Sequence, residues 1–144
     1  MSDLNDLYQE IILEHYAHPH HHGPLPGANR EAEGYNPLCG DRVHLRLRLE
    51  GDTIADLAFE GSGCAISTAT ASAMTDAVAG RPVDEALTLQ QRMLDILTGV
   101  DEDPEHLDQI GVLAAFAGVR HYPMRVKCAT LAWHALREAL TSDG

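Results

Sequence analysis

This chain of 144 residues is poor in cysteine, in basic residues and in long apolar runs. No stretch approaches the roughly 20 consecutive apolar residues that cross a bilayer, so we expect no membrane partner. Ten basic residues against 22 acidic ones give a net charge of −12, which opposes binding to nucleic acid. A glycine-rich phosphate loop and a serine nucleophile motif are also missing, so nucleotide-binding and hydrolase functions find no support.

The bulk composition is that of an ordinary globular protein, with 44% hydrophobic and 22% charged residues. The length fits one domain over residues 1–144. The acidic first residues lack the basic start and apolar core of a signal peptide, so we expect a cytoplasmic protein. In that compartment, three widely spaced cysteines favour metal binding or catalysis over disulfides.

Alternating apolar residues predict two antiparallel strands over residues 43–50 and 53–59, joined by a turn at Gly51 and Asp52. In the second strand, Ala55, Leu57 and Phe59 are expected to share one face. A short edge strand is expected at 34–36, after a loop over 18–30.

Helical spacing of apolar residues predicts the remaining elements. The expected helices are an N-terminal one ending before His18, then 65–80, one from Pro82, one over about 107–117, and one over about 129–140. Small residues along 65–80 predict close packing on the sheet. The sequence therefore predicts an α+β fold, with a small three-stranded antiparallel sheet packed against about five helices.

The three cysteines each occupy a setting that suits a metal-binding thiolate. Cys39 and Asp41 flank Gly40 at the start of the long strand, where an extended chain would point both side chains to one face. Cys64 and Cys128 each directly precede a predicted helix, and helix N-termini stabilise anions. Three sulfurs and one carboxylate form a tetrahedral zinc set or one edge of an iron–sulfur cluster.

The alternative is that the cysteines are buried small hydrophobic residues, which is common. No two of them have the short CxxC spacing of a zinc ribbon, so spacing alone is a weak signal. Their positions at the starts of elements favour the metal-binding interpretation.

Four blocks carry a family resemblance that covers nearly the whole chain in order. They are LYQEIILEHY at 7–16, NPLCGD at 36–41, GSGCAIS at 61–67 and VKCATLAW at 126–133. These blocks resemble the NifU/IscU-like iron–sulfur cluster assembly proteins, and within them the SufU type. Two features favour that type: Lys127 stands where the classical scaffold has a histidine, and 79–111 resembles its longer helical stretch.

The resemblance implies zinc bound by Cys39, Asp41, Cys64 and Cys128, and persulfide sulfur taken from a pyridoxal-phosphate cysteine desulfurase of the SufS type. Cys39 is the implied acceptor, released when a histidine of the desulfurase replaces it on zinc, and a downstream cluster scaffold would receive the sulfur. The activity would be sulfurtransferase-like, a relay step in a SUF system.

Two other functions use the same residues. The first is a scaffold on which an iron–sulfur cluster is assembled on the three cysteines, and the second is a purely structural zinc domain. Lys127 favours sulfur acceptance over the scaffold.

Several cations and histidines have two interpretations each. Arg125 is a candidate stabiliser of the thiolate or persulfide, or a plain surface cation. Lys127 is expected to give electrostatic support, because a protonated amine cannot coordinate a metal. The histidines of the 18–22 segment can grip nickel or zinc, but a solvated loop is the expectation. His15 is expected either to dock a partner or to pack.

Overall fold

The computed structural model describes residues 3–37 and 40–141. These described residues form three strands, five α-helices and one 3₁₀ helix, and the α+β prediction is confirmed. In chain order they are α1 (Asp3–Ala17), β1 (Arg30–Asn36), β2 (Asp41–Glu50), β3 (Thr53–Ser62), α2 (Ala65–Val78), α3 (Val83–Leu97), α4 (Pro104–Gln109), the 3₁₀ helix (Gly111–His121) and α5 (Pro123–Thr141).

The strands form one antiparallel sheet in the order β1-β2-β3. A β-bulge between Arg48 and Leu49 shifts the pairing of β2 with β3. The predicted inward face of β3 is therefore wrong at one position: Ile54 is buried with Leu57 and Phe59, whereas Ala55 is only half-buried. A bulge changes which side chains face the core, and alternation alone cannot reveal it.

The edge strand is longer than predicted, because β1 already begins at Arg30. The loop ahead of it runs along the free side of β3. There the backbone N–H of Phe59 donates to the carbonyl of His21 at 2.9 Å, and the N–H of Gly23 donates to the carbonyl of Phe59 at 3.0 Å. Backbone groups of this loop thus cover part of an exposed sheet edge.

Helix α5 lies at the centre of the helical layer, in contact with β1, β2, α2, α3 and the 3₁₀ helix. Its Trp133 and Leu136 are fully buried. Helix α2 contacts β3, but it also packs on α1 and α5. Its alanines, serines and threonines are therefore buried on almost every side, which only small side chains permit at this proximity.

Two predicted helix boundaries are wrong. The helix expected over 107–117 is divided, because Gly111 has a left-handed φ of 60° that ends α4 and begins the 3₁₀ segment. Helix α5 begins at Pro123 instead of Ala129, since proline fits the first position of a helix. Among the described residues, no helix is both long and apolar enough to cross a membrane.

Candidate metal centre

Three residues from three separate elements meet at one end of the sheet. Asp41 is the first residue of β2, Cys64 caps the N-terminus of α2, and Cys128 lies in α5. A ligand atom of each lies within 4.8 Å of the other two. Asp41 and Cys128 are buried, while Cys64 is exposed. The structure thus brings together three of the four predicted ligands; Cys39 lies outside the described residues and stays a prediction.

Strand register explains why Asp41 and Cys64 are neighbours. Arg42 of β2 pairs with Ser62 of β3, so Asp41 lies beside the chain as it leaves β3 towards α2. The backbone N–H of Cys64 donates to Oδ1 of Asp41 at 3.1 Å, and Sγ of Cys64 lies 3.8 Å from Oδ2. Asp41 is only 1% exposed, so the surrounding protein restricts the position of its side chain.

Two glycines make this close approach feasible. A Cβ at Gly63 would overlap the carboxylate of Asp41, and one at Gly61 would overlap the carbonyl of Arg42 on the paired strand. Neither glycine has a positive φ, so the requirement here is for space and not for a left-handed backbone.

The two helix-start predictions have different outcomes. Cys64 caps α2, where its sulfur accepts the N–H of Ser67 at 3.5 Å, so its predicted position at a helix start is confirmed. Cys128 was expected to precede α5, and that is wrong. It lies in the second turn, because α5 begins five residues earlier at Pro123. Helix-end stabilisation fades within the first turn, so burial dominates the surroundings of this sulfur.

The extended backbone expected at Gly40 is wrong, whereas Cys39 lies outside the described residues and its alignment with Asp41 stays a prediction. Gly40 has a left-handed φ of 74°, and its N–H donates to the carbonyl of Asn36 at 2.8 Å. This backbone is a turn, so the rule that residues i and i+2 share a face does not apply at Gly40.

Cations and exposed aromatic side chains lie in the same part of the fold. Arg125 is exposed, one turn before Cys128 on α5, and lines a cleft with Tyr8 and Tyr122. Lys127 is exposed directly before Cys128. At the start of β2, the guanidinium of Arg42 lies 4.6 Å from the ring centre of Tyr35, a cation–π contact that sequence reasoning missed.

A second group of ligand-bearing side chains was also missed. His15 and His20 lie with Asp76 of α2, again with ligand atoms within 4.8 Å of one another. The sequence singles out both histidines but nothing marks Asp76, which is 56 residues from His20. His15 is buried, which fits its predicted packing role.

Known proteins resemble this chain along nearly all of its length. Residues 7–141 match the model of the NifU-like N-terminal domain. The iron–sulfur cluster assembly scaffold protein IscU of Streptococcus pyogenes serotype M1 is 44% identical, covering 97% of this chain and 86% of that protein. The zinc-dependent sulfurtransferase SufU of Bacillus subtilis (strain 168) is 38% identical, covering 99% and 95%.

A solved structure extends the similarity to three dimensions. FiSufU of Fervidobacterium islandicum AW-1, described as an iron–sulfur cluster assembly scaffold protein for the SUF system, superposes with a TM-score of 0.85 at 36% identity, covering 96% of this chain and 99% of that one. With the family model matched over 7–141, the chain belongs to the family of NifU-like N-terminal domains.

Proposed function

We propose that this protein acts in iron–sulfur cluster assembly as a zinc-dependent sulfur acceptor, which takes persulfide sulfur from a cysteine desulfurase and passes it on. The observation that carries the proposal is the convergence of Asp41, Cys64 and Cys128 at one end of the sheet. The sulfurtransferase relative from Bacillus subtilis supports it.

The donor set fits zinc. Two cysteine sulfurs and a carboxylate are ligands that Zn²⁺ prefers, and tetrahedral coordination needs four. Cys39, two residues before Asp41, is the proposed fourth ligand. The N–H of Cys64 already holds one oxygen of Asp41, an orienting contact of the kind that positions metal ligands. When bound, zinc would hold thiolates together without oxidising them, because it has no redox chemistry.

The proposed transfer is a thiol–persulfide exchange on Cys39. Its thiolate attacks the outer sulfur of the partner's persulfide, and a new S–S bond forms on Cys39. The S–S bond of the partner breaks, and the partner's cysteine leaves as a thiolate. The outer sulfur keeps its proton, so atoms and charge balance without an added oxidant or reductant.

Arg125 is the proposed electrostatic partner of this anionic chemistry. Its guanidinium group is exposed one helical turn from Cys128, in an otherwise acidic protein. A nearby cation favours a thiolate or persulfide anion over the protonated form. Lys127 adds a second positive charge beside the buried sulfur.

The proposed partner is a pyridoxal-phosphate cysteine desulfurase. Exposed apolar and aromatic side chains occupy the start of α5 and the adjacent strand ends, a composition that suits a protein interface. They are Tyr35, Tyr122 and Met124, each more than half exposed. Because the chemistry needs reduced thiols, we place the protein in the cytoplasm.

The second candidate function is a scaffold that assembles a cluster on the same three cysteines. It is favoured by the name of the Streptococcus pyogenes relative. Lys127 argues against it, because the residue before the third cysteine is a histidine in the classical scaffold that the chain resembles.

Mass spectrometry of the protein after reaction with desulfurase and cysteine tests the proposal. We expect one added sulfur atom, mapped to a peptide containing Cys39, and no added sulfur in Cys39→Ala. Added sulfur on Cys64 or Cys128 in that variant would show that the acceptor is wrongly assigned. Arg125→Ala is expected to slow the transfer, whereas Arg92→Ala, a cation on α3, serves as the matched control.

A further inference from the structure

We propose that His15, His20 and Asp76 form a second metal site, which binds a divalent transition-metal ion through nitrogen and oxygen ligands. The site joins the end of α1, the following loop and the last turn of α2. It contains no sulfur, and it is separate from the thiol cluster.

The geometry carries this inference. One ligand atom from each of the three side chains lies within 4.8 Å of the other two. The imidazole rings of His15 and His20 are 4.5 Å apart between centroids. Nδ1 of His20 lies 2.5 Å from Oδ2 of Asp76. A tetrahedral zinc ion with bonds of 2.0–2.2 Å keeps its ligand atoms roughly 3.4 Å from one another, so Nδ1 of His20 and Oδ2 of Asp76 would separate slightly to admit the ion.

The loop is held in place by backbone hydrogen bonds as well as by the histidine rings. Oγ of Ser72 accepts the backbone N–H of His20 at 2.7 Å and lies 2.7 Å from Nδ1 of His15. The next residue, His21, is bonded through its carbonyl to Phe59 of β3. The histidines therefore start from an ordered arrangement, which lowers the entropy cost of binding a metal.

The electrostatic surroundings favour a cation. His15 lies in the last turn of α1, where the helix dipole is negative. Oδ1 of Asp76 lies 3.4 Å from Nδ1 of His21, so both carboxylate oxygens face an imidazole.

The two sites differ in place and in chemistry. Asp76 follows Cys64 by 12 residues along α2, which corresponds to about 18 Å of helix. Imidazole with carboxylate suits nickel, zinc, copper or ferrous iron, whereas thiolates favour softer metal ions. A metal at the second site would not depend on the sulfur-transfer function proposed above.

Nickel titration of protein already loaded with one equivalent of zinc tests the inference. Calorimetry is expected to show one further equivalent of Ni²⁺, with zinc release followed in parallel to detect exchange at the thiol cluster. His20→Asn and Asp76→Asn should each weaken nickel binding tenfold or more. Near-ultraviolet circular dichroism checks that both variants remain folded.

The matched control is His22→Asn. This histidine belongs to the same run, but its ring packs edge-on against Phe59 and lies outside the cluster. Its nickel affinity should equal that of the wild type. Equal weakening of nickel binding by His20→Asn and His22→Asn would overturn the proposal, because the histidines of the 18–22 segment would then bind nickel interchangeably and not at a defined site. Uptake of nickel only in exchange for zinc would also overturn it.

Paramagnetic broadening by Co²⁺ gives a second readout that needs no variant. In zinc-loaded wild-type protein, signals of His15 and Asp76 should broaden first. Broadening centred on His18 and His22 would contradict the proposed ligands.

Discussion

Cys64 and Asp41 are tied together twice: the backbone N–H of Cys64 donates to Oδ1 of Asp41 at 3.1 Å, and its sulfur lies 3.8 Å from Oδ2. One residue thus orients the carboxylate and also offers its thiolate to the same ion. Asp41 belongs to a strand and Cys64 to a helix cap, so a metal at this point would link the sheet to α2.

Removing the carboxylate is expected to weaken the metal centre without unfolding the protein. Asp41→Ala deletes one ligand and leaves the N–H of Cys64 without this acceptor. Zinc affinity, measured by competition with a chromophoric chelator, should fall at least tenfold, and sulfur transfer should fall with it. Asp108→Ala, which removes an exposed carboxylate on α4, is the charge-matched control and should change neither. If Asp41→Ala retained wild-type affinity, Asp41 would not be a ligand.

Crowding the carboxylate should have a related effect with all ligands retained. In Gly63→Ala, the new methyl group would overlap Asp41 and displace it. We expect zinc affinity to fall about 10- to 100-fold, the range for changes to residues that orient metal ligands.

Gly118→Ala is the control for that substitution. A Cβ there meets no atom within 4 Å, and its φ is not left-handed. Zinc affinity should stay unchanged in this variant. Equal zinc binding by both alanine variants would show that the space beside Gly63 is not needed.

Zinc removal is expected to loosen one end of the protein and not the whole. The metal would join β2, α2 and α5, so its binding energy adds to folding stability. The apolar core around Trp133 and Phe116 is buried independently of it. With chelator, the melting temperature should fall, and amide exchange should increase chiefly around Cys64. Complete unfolding would instead support a purely structural zinc.

Acid should weaken the hydrogen-bonded cluster of Asp101, Asp103 and His106, which follows α3 along the chain. The backbone N–H of Asp103 donates to Oδ1 of Asp101 at 3.0 Å, and His106 lies 2.6 Å from Oδ2. Both hydrogen bonds lower the pKa of Asp101 below its usual value, and the one from the backbone of Asp103 has the larger effect. The ionised Asp101 carboxylate therefore stabilises the folded state fully above its unfolded-state pKa, roughly 4. This stabilisation is lost as the pH falls through the lower folded-state pKa.

The variant Asp101→Asn tests that prediction by urea unfolding at several pH values. It should be less stable than the wild type at pH 7, and the difference should shrink as the solution is acidified below roughly pH 4. A difference independent of pH would mean that the carboxylate charge does not matter.

Local patterns predicted much of this molecule. Apolar spacing found α1, α3 and the buried face of α5, and alternation found the β2–β3 hairpin. The resemblance to NifU/IscU-like proteins predicted that Asp41, Cys64 and Cys128 belong to one site, and the structure brings their ligand atoms within 4.8 Å of one another.

The errors arise where a single local detail decides the structure. The bulge after Arg48 turned Ile54 inward in place of Ala55. Pro123 began α5 before Cys128, which took that cysteine away from the helix end. The grouping of Asp76 with His15 depends on tertiary packing of α1 against α2, which no local pattern encodes.

The most direct test is cysteine turnover by a cysteine desulfurase from the same organism, compared with zinc-loaded and with metal-free protein. We expect strong stimulation by the zinc-loaded form alone, and loss of stimulation in Cys39→Ala. Absence of stimulation by either form would contradict the proposed sulfur acceptance, and would favour a scaffold that assembles the cluster itself.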